Sequence, residues 1–328
     1  MITIVGGAGF IGTRLCETLA AKKVDFEILD LKESQSYPEK TKIVDIRDFD
    51  ALKAAVSGQT IINLAAIHRD DVRDRTLYYT TNVEGTRNIC KVADEAGISS
   101  IVFTSTVAVY GFAAPETGED GVINPFNDYG KSKYQAEEVL RGWYAKNQKG
   151  RNLAIIRPTV VFGEGNRGNV YNLCRQIVSG KFLMVGSGRN RKSMAYIGNI
   201  AAFLALAATQ AQGYGVYNYV DKPDFDMNTL VTDVKRTVTG KNGVGLRLPF
   251  WLGMTMGSIA DIVARVTGAN LPISSIRVKK FCSTTTFSCE ALEALSFSAP
   301  YTLAEGLERT LEAEFLNPDQ NRQVFFTE

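Results

Sequence analysis

The stretch Met1-Ile2-Thr3-Ile4-Val5-Gly6-Gly7-Ala8-Gly9-Phe10-Ile11-Gly12 decides the fold. A β-branched run passes directly into a glycine turn, and a helical pattern follows. Gly6 permits the tight turn, Gly9 lets backbone approach a pyrophosphate, and Gly12 allows a helix to pack closely on the strand. A helix opening there faces phosphates with its positive end. Phe10 and Ile11 lie within the same turn and belong to the same candidate site. A second strand, expected at 26–29, leads to Asp30, about 20 residues on, where a carboxylate suits the adenosine ribose of a dinucleotide. That carboxylate repels a 2′-phosphate, which favours NAD over NADP. Lys32, two residues later, pulls the other way.

The same alternation continues outward. Further strands are expected at 42–44, 60–64, 100–104 and 153–156, each short, apolar and rich in Ile and Val. Such runs suit strands buried on both faces. Helical patterns at 12–22, 49–56, 81–96 and 129–146 separate them. The arrangement predicts a Rossmann-type, doubly wound parallel α/β sheet with right-handed crossovers. After Arg157-Pro158 the pattern loosens into helices near 170–179 and 198–209 with glycine loops between them. A strand at 216–220 is expected to rejoin the sheet. The division expected is an NAD-binding domain at 1–165 and a smaller, intergrown substrate lobe at 166–328.

Composition narrows the function. The 328 residues are 45% hydrophobic and 22% charged, which suits a globular protein and excludes a disordered or collagen-like chain. Lys and Arg number 37 against 35 Asp and Glu, too balanced for a nucleic-acid binder. A single histidine and five cysteines without a CxxC pair leave no metal site or disulfide frame to expect. The opening apolar run is too short for an export signal. No stretch reaches the roughly 18–20 apolar residues of a membrane span; the nearest is 248–260.

The chemistry is expected in the middle of the chain. Tyr129-Gly-Lys-Ser-Lys133 puts a phenol and an ammonium four residues apart, on one helix face. A phenol ionises near pH ~10, too high for a base at neutral pH, and an adjacent ammonium and a nicotinamide's positive charge favour the phenolate. Thr104-Ser105-Thr106 ends the fifth strand, where a hydroxyl can hydrogen-bond a substrate oxygen while the tyrosine moves the proton. Leu64-Ala65-Ala66 ends the fourth strand with residues small enough for a cofactor to lie close. Asp45 and Ile46 follow the third strand. Asp45 suits an adenine amine, while Asp48 suits a helix N-cap, and both readings stand.

These motifs resemble the extended short-chain dehydrogenase/reductase family, the NAD-dependent nucleotide-sugar epimerases and dehydratases, over essentially the whole chain. The resemblance implies that Thr106 is the active-site hydroxyl, Tyr129 the acid–base and Lys133 the ribose-binding lysine. It implies that Asn82 supports the site and that Pro158, after Arg157, closes over the nicotinamide. It also implies a homodimer through helices 81–96 and 129–146, and the apolar residues Val139, Leu140, Trp143 and Tyr144 permit that pairing.

Other stretches depart from the common pattern of the family: His68-Arg-Asp-Asp-Val72, Phe162-Gly-Glu-Gly-Asn-Arg-Gly-Asn-Val-Tyr-Asn172, Lys192-Ser-Met-Ala-Tyr-Ile-Gly-Asn199, Val216-Tyr-Asn-Tyr-Val-Asp-Lys-Pro223 and Ser275-Ile-Arg-Val-Lys-Lys-Phe-Cys282. They resemble the branch of 4-epimerases that works on undecaprenyl-diphosphate-linked N-acetylhexosamines in O-antigen and lipopolysaccharide assembly. That implies a lipid-linked diphosphosugar substrate and a cytoplasmic protein held peripherally at the inner face of the membrane. A UDP-sugar 4-epimerase, a 4-keto reductase and a non-catalytic NAD sensor remain as rivals.

A diphosphate needs cations. Lys192, beside Arg189 and Arg191, and Arg277, beside Lys279 and Lys280, can supply them or be solvated surface. Asn169 can cap a helix or reach the sugar. His68 can touch substrate or hold a loop. The stretch 248–260, with Phe250, Trp251, Leu252 and Met254, can rim a membrane-facing mouth, pack within the smaller lobe or make a dimer contact.

Overall fold

Seven short strands build one parallel sheet; the five central ones are apolar and buried on both faces, while the edge strands at Thr41–Ile43 and Tyr214–Tyr219 are partly exposed. The seven are β1 (Ile2–Val5), β2 (Phe26–Asp30), β3 (Thr41–Ile43), β4 (Thr60–Asn63), β5 (Ser100–Thr104), β6 (Asn152–Pro158) and β7 (Tyr214–Tyr219). Their order across the sheet is β3-β2-β1-β4-β5-β6-β7. Val5 lies level with Leu29 on one side and Asn63 on the other. The winding direction reverses between β1 and β4, which opens a crevice at the strands' carboxyl ends. The computed structural model describes residues 1–69, 72–210, 212–268 and 274–327.

The helices α1 (Phe10–Ala21), α2 (Phe49–Ala55), α3 (Gly85–Ala96), α4 (Asp128–Ala145), α5 (Asn169–Val178), α6 (Ile197–Gln210), α7 (Met227–Thr239), α8 (Phe250–Thr267), α9 (Ser275–Cys282) and α10 (Leu303–Leu311) surround the sheet. On one face α2, α3 and α4 enclose a core that includes Leu52, Ile89, Leu140 and Trp143. On the other, α1 and α6 join α5, α7 and α10 in a core running from Leu15 and Phe203 to Cys174, Leu230 and Leu307. The segment 166–328 therefore packs onto the sheet through a shared core, and β7 pairs with β6 from Tyr214 to Tyr219.

Several elements depart from expectation in an informative way. The helix expected at 81–96 begins with a turn at Thr76–Tyr79 and a π-helical turn at Thr80–Glu84 before α3 starts. α4 begins at Asp128 because Asn127 caps it, its Oδ1 accepting the Gly130 N–H at 2.9 Å. The apolar residues expected to support dimer pairing on α4 are in part committed to the chain's own core, since Leu140 and Trp143 are buried.

The stretch 248–260 is not a core helix. α8 extends to Thr267 and buries only Gly253 and Gly257, while Trp251, Ile259, Ile262 and Val266 are 57–80% exposed. At 100° per residue, these side chains and Val263 form one stripe opposite the two glycines. This reverses the usual amphipathic helix, whose apolar face meets the core. Leu252 and Met254, expected at a rim, are half-buried. No described helix is long and apolar enough to cross a membrane.

Candidate active site

The crevice at the switch point is a cleft of about 770 Å³. Its floor is the glycine turn. Gly6 takes φ +83°, and a Cβ there would lie 2.6 Å from the Ala65 amide nitrogen, so only glycine lets the ends of β1 and β4 meet. Gly9, Phe10, Ile11, Gly12, Leu64, Ala65 and Ala66 all line the cleft. Asp30 ends β2 at the same wall and accepts the Ala8 N–H at 3.0 Å, which fastens the turn to the strand. Asp45 and Ile46 line the adjoining wall. The Arg47 guanidinium chelates the Asp45 carboxylate at 2.6–3.0 Å and holds its pKa below the ordinary value. Asp48 caps α2 by accepting the Ala51 N–H at 3.0 Å.

The reactive wall is made by β5 and α4. Thr106 follows β5, lines the cleft and accepts the Ala108 N–H at 3.1 Å, which fixes its side chain at the head of a short 3-10 turn. Tyr129 and Lys133 face the cleft from successive turns of α4. Lys133 is 1% exposed, with its ammonium 4.1 Å from the ring centre of Phe103. Burial pushes its pKa down to about 7, against the pull of Glu137.

A buried network holds this wall from behind. The Glu137 carboxylate accepts from Ser105 Oγ at 2.5 Å and from Arg157 Nε and Nη2 at 2.9 and 2.7 Å. Arg157 also donates to the Tyr110 hydroxyl at 2.6 Å, and that hydroxyl donates to Asn218 Oδ1 at 2.8 Å. Arg157 therefore points away from the cleft, while Pro158 lines it. Asn82, held in the π-helical turn, accepts the Ile67 N–H at 2.9 Å and donates to Ser132 Oγ at 2.9 Å. It ties the loop after β4 to the turn between Tyr129 and Lys133.

The expected substrate residues divide. His68 and Asn169 line the cleft. The surrounding protein lowers the His68 pKa by desolvation and the nearby Lys133 charge acts the same way, although the residue as a whole is exposed. Asn169 does not cap its helix; Gly168 holds that position, and Asn166 Oδ1 accepts the Gly168 N–H at 2.6 Å. Lys192 lies outside the cleft lining. Its ammonium donates to the Lys280 and Ser283 carbonyls at 2.8 and 2.7 Å and to Thr285 Oγ1 at 3.2 Å. Its cation thus braces the segment that carries Thr285 into the cleft wall. Arg277 sits on exposed α9, also outside the lining. Asp70 and Asp71 lie outside the described residues.

Residues 2–219 match the NAD dependent epimerase/dehydratase family. The chain belongs to that family. Among its relatives, N-acetyl-alpha-D-glucosaminyl-diphospho-ditrans,octacis-undecaprenol 4-epimerase of Escherichia coli O157:H7 is 50% identical over 331 residues, covering 100% of this chain and 99% of that protein. UDP-glucose 4-epimerase of Vibrio cholerae is 27% identical over 329 residues, covering 95% and 94%. The crystal structure of Thermus thermophilus UDP-glucose 4-epimerase with NAD superposes with a TM-score of 0.72 at 20% identity, covering 97% of this chain and 99% of that one. It shares the fold.

The cleft of this family member fits the dinucleotide for which the family is named. Thr104 Oγ1, on the cleft wall, is a buried hydroxyl without a protein partner among the described residues. The Lys133 ammonium is buried against a ring, where ribose hydroxyls would satisfy it. The turn presents main chain, without side chains in the way, at Gly9, where a Cβ would meet nothing closer than the Gly6 carbonyl at 3.4 Å.

Sequence reasoning missed Asn166, Thr285, Phe287 and Thr327, all of which line the cleft from distant parts of the chain. A glycine- and asparagine-rich loop at 163–169 was the available signal for the first. Nothing local marks the others.

Proposed function

We propose that the protein is an NAD-dependent 4-epimerase that converts undecaprenyl-diphosphate-linked N-acetylglucosamine to the N-acetylgalactosamine lipid, for O-antigen and other surface-polysaccharide assembly. The observation that carries this reading is the 50% identity to the Escherichia coli O157:H7 enzyme along the whole chain. Bound NAD supplies a reversible hydride acceptor for C4 of the sugar. Tyr129 Oη takes the proton of the 4-hydroxyl and later returns it. Thr106 Oγ1 hydrogen-bonds the same oxygen and fixes it beside the phenol. Lys133 holds the cofactor ribose, and its charge favours the phenolate. With the opposite face of the 4-keto sugar presented, hydride returned to C4 from that side would invert the carbon as Tyr129 re-protonates the oxygen. Net redox is zero.

The place of work follows from the substrate. An undecaprenyl chain leaves the bilayer only by exposing a large apolar area, so the sugar must be met at the headgroups. The outward apolar stripe of α8 supports a peripheral attachment there. Between residues 247 and 280 the chain carries Arg247, Arg265, Arg277, Lys279 and Lys280 against the single acid Asp261, which suits an anionic surface. From α9 the chain runs through Ser283 and Thr284 to Thr285 at the cleft wall. The protein works as a homodimer through α3 and α4, a reading supported by the family resemblance.

The test offers the enzyme undecaprenyl-diphosphate-linked N-acetylglucosamine and UDP-N-acetylglucosamine in parallel and follows the C4 configuration by product analysis. Conversion of the lipid-linked sugar alone is the expected result. Conversion of the UDP-sugar alone would replace this reading with the UDP-sugar 4-epimerase.

A further inference from the structure

The last described residues of the chain fold back to the cofactor cleft, and nothing in the mechanism uses them. Residues 323–327 hold an isolated parallel β-bridge between Phe325 and Asn166, with Gln323, Phe325 and Thr327 half-buried and Val324 and Phe326 exposed, the two-residue alternation of a strand. The Phe325 N–H donates to the Gly165 carbonyl at 2.8 Å, and the Arg167 N–H donates to the Phe325 carbonyl at 2.8 Å. Thr327 Oγ1 donates to Asn166 Oδ1 at 3.0 Å and lines the cleft. On the other side the Phe325 ring lies 5.7 Å from that of Phe10 in the glycine turn, with the Lys32 ammonium 5.9 Å from its centre.

The segment thus bridges two walls: the glycine turn of the sheet and the 165–169 loop that opens α5. The loop is shaped to receive it. Gly165 takes φ +84°, and a Cβ there would lie 2.7 Å from the Gln323 carbonyl oxygen. A Cβ at Gly168 would lie 2.4 Å from Thr327 Oγ1. Glu314 anchors the same corner from below, accepting the Gly165 N–H at 2.6 Å and pairing with Arg167. Two glycines, a buried carboxylate and a three-bond backbone and side-chain seam are more than an idle segment needs.

We propose that residues 323–327 are a strap that completes the NAD site at the glycine-turn and Asp30 end and keeps the cofactor resident. This inference rests on reading the cleft as an NAD site. A cofactor that returns its hydride within each turnover has no need to exchange, so slow release has no catalytic cost. Thr327 closes the cleft beside Asn166 and Asn169, and Phe325 braces Phe10 from behind. Release then requires the strap to part from the 165–168 loop.

The experiment compares the full chain with Phe325→Ala, with Thr327→Val and with a form ending at Arg322. NAD per chain is measured after desalting by denaturing release and chromatography. Exchange is followed by mass spectrometry after adding excess isotopically labelled NAD. Circular dichroism melts check that each variant is folded. Each point variant should exchange NAD several-fold faster, and the shortened form about tenfold or more, the scale of losing one aromatic pair and one neutral hydrogen bond. Equal exchange rates in the full chain and the folded point variants would overturn the strap while leaving the NAD site intact. A full chain that takes up no NAD would overturn both the strap and the reading beneath it.

Discussion

Tyr129 and Lys133 carry different burdens although they share one helix face. The phenol has only to meet the sugar oxygen, so Tyr129→Phe should lower kcat by about 10²–10⁴-fold, the usual span for an acid–base group. NAD content, measured after desalting, should not change, because the glycine turn is untouched. Among the described residues no carboxylate bonds the buried Lys133 ammonium, and burial pushes its pKa down to about 7 against the pull of Glu137. In the unfolded chain the same amine keeps its proton up to about pH 10. Between these values the unfolded state binds more protons, so the NAD-free fold gains stability as pH rises from about 7 to about 10. Lys133→Met removes that penalty. The variant should melt a few degrees above the NAD-free native protein at pH 7, the difference should shrink towards pH 10, and turnover should be lost. Calorimetric melts at three pH values check the sign.

α8 carries its apolar residues outward because its inward side is glycine. Gly253 and Gly257 allow the helix to sit close to Val185 and Ser275, and larger groups fill the opposite side. Trp251→Ser with Ile262→Ser should therefore leave the melting temperature nearly unchanged, since exposed substitutions shift stability by only about ±0.5 kcal/mol. Sedimentation with anionic vesicles should fall about tenfold or more, given roughly 1.5–3 kcal/mol for burying each large side chain. Binding of the native protein should also weaken as salt rises, because α9 and its neighbours contribute charge. A lowered melting temperature with unchanged vesicle binding would make the stripe a packing surface. α4 behaves in the opposite way. Leu140 and Trp143 turn inward, and the Glu137–Arg157 network, absent from any local motif, ties α4 to β6 and, through Ser105, to the end of β5.

At the scale of the whole molecule, light scattering at micromolar concentration should give the mass of two chains, paired through α3 and α4; a single-chain mass would remove the dimer. The sheet itself needed no tertiary information. Short apolar strand runs, a glycine turn between strand and helix, and a phenol and ammonium four apart are each ambiguous alone, but in this order along one chain they agree on a dinucleotide-binding sheet. Thr106, Tyr129, Lys133, Asp30 and the glycines were legible for that reason, and all line one cleft. Lys192 lies outside the cleft lining and braces carbonyls instead, a placement that charge along a sequence does not reveal. Of the two readings of Asn169, the cap fails because Gly168 holds the N-cap position, its N–H bonded by the Asn166 side chain, while Asn169 itself lines the cleft. The outward face of α8 and the return of residues 323–327 to the glycine turn depend on contacts between segments up to about three hundred residues apart. Periodicity says that a helix has two faces, and an extended run that its residues alternate. Which face meets protein, and which loop receives the strand, is decided only when the chain has folded and the remaining surfaces have been buried.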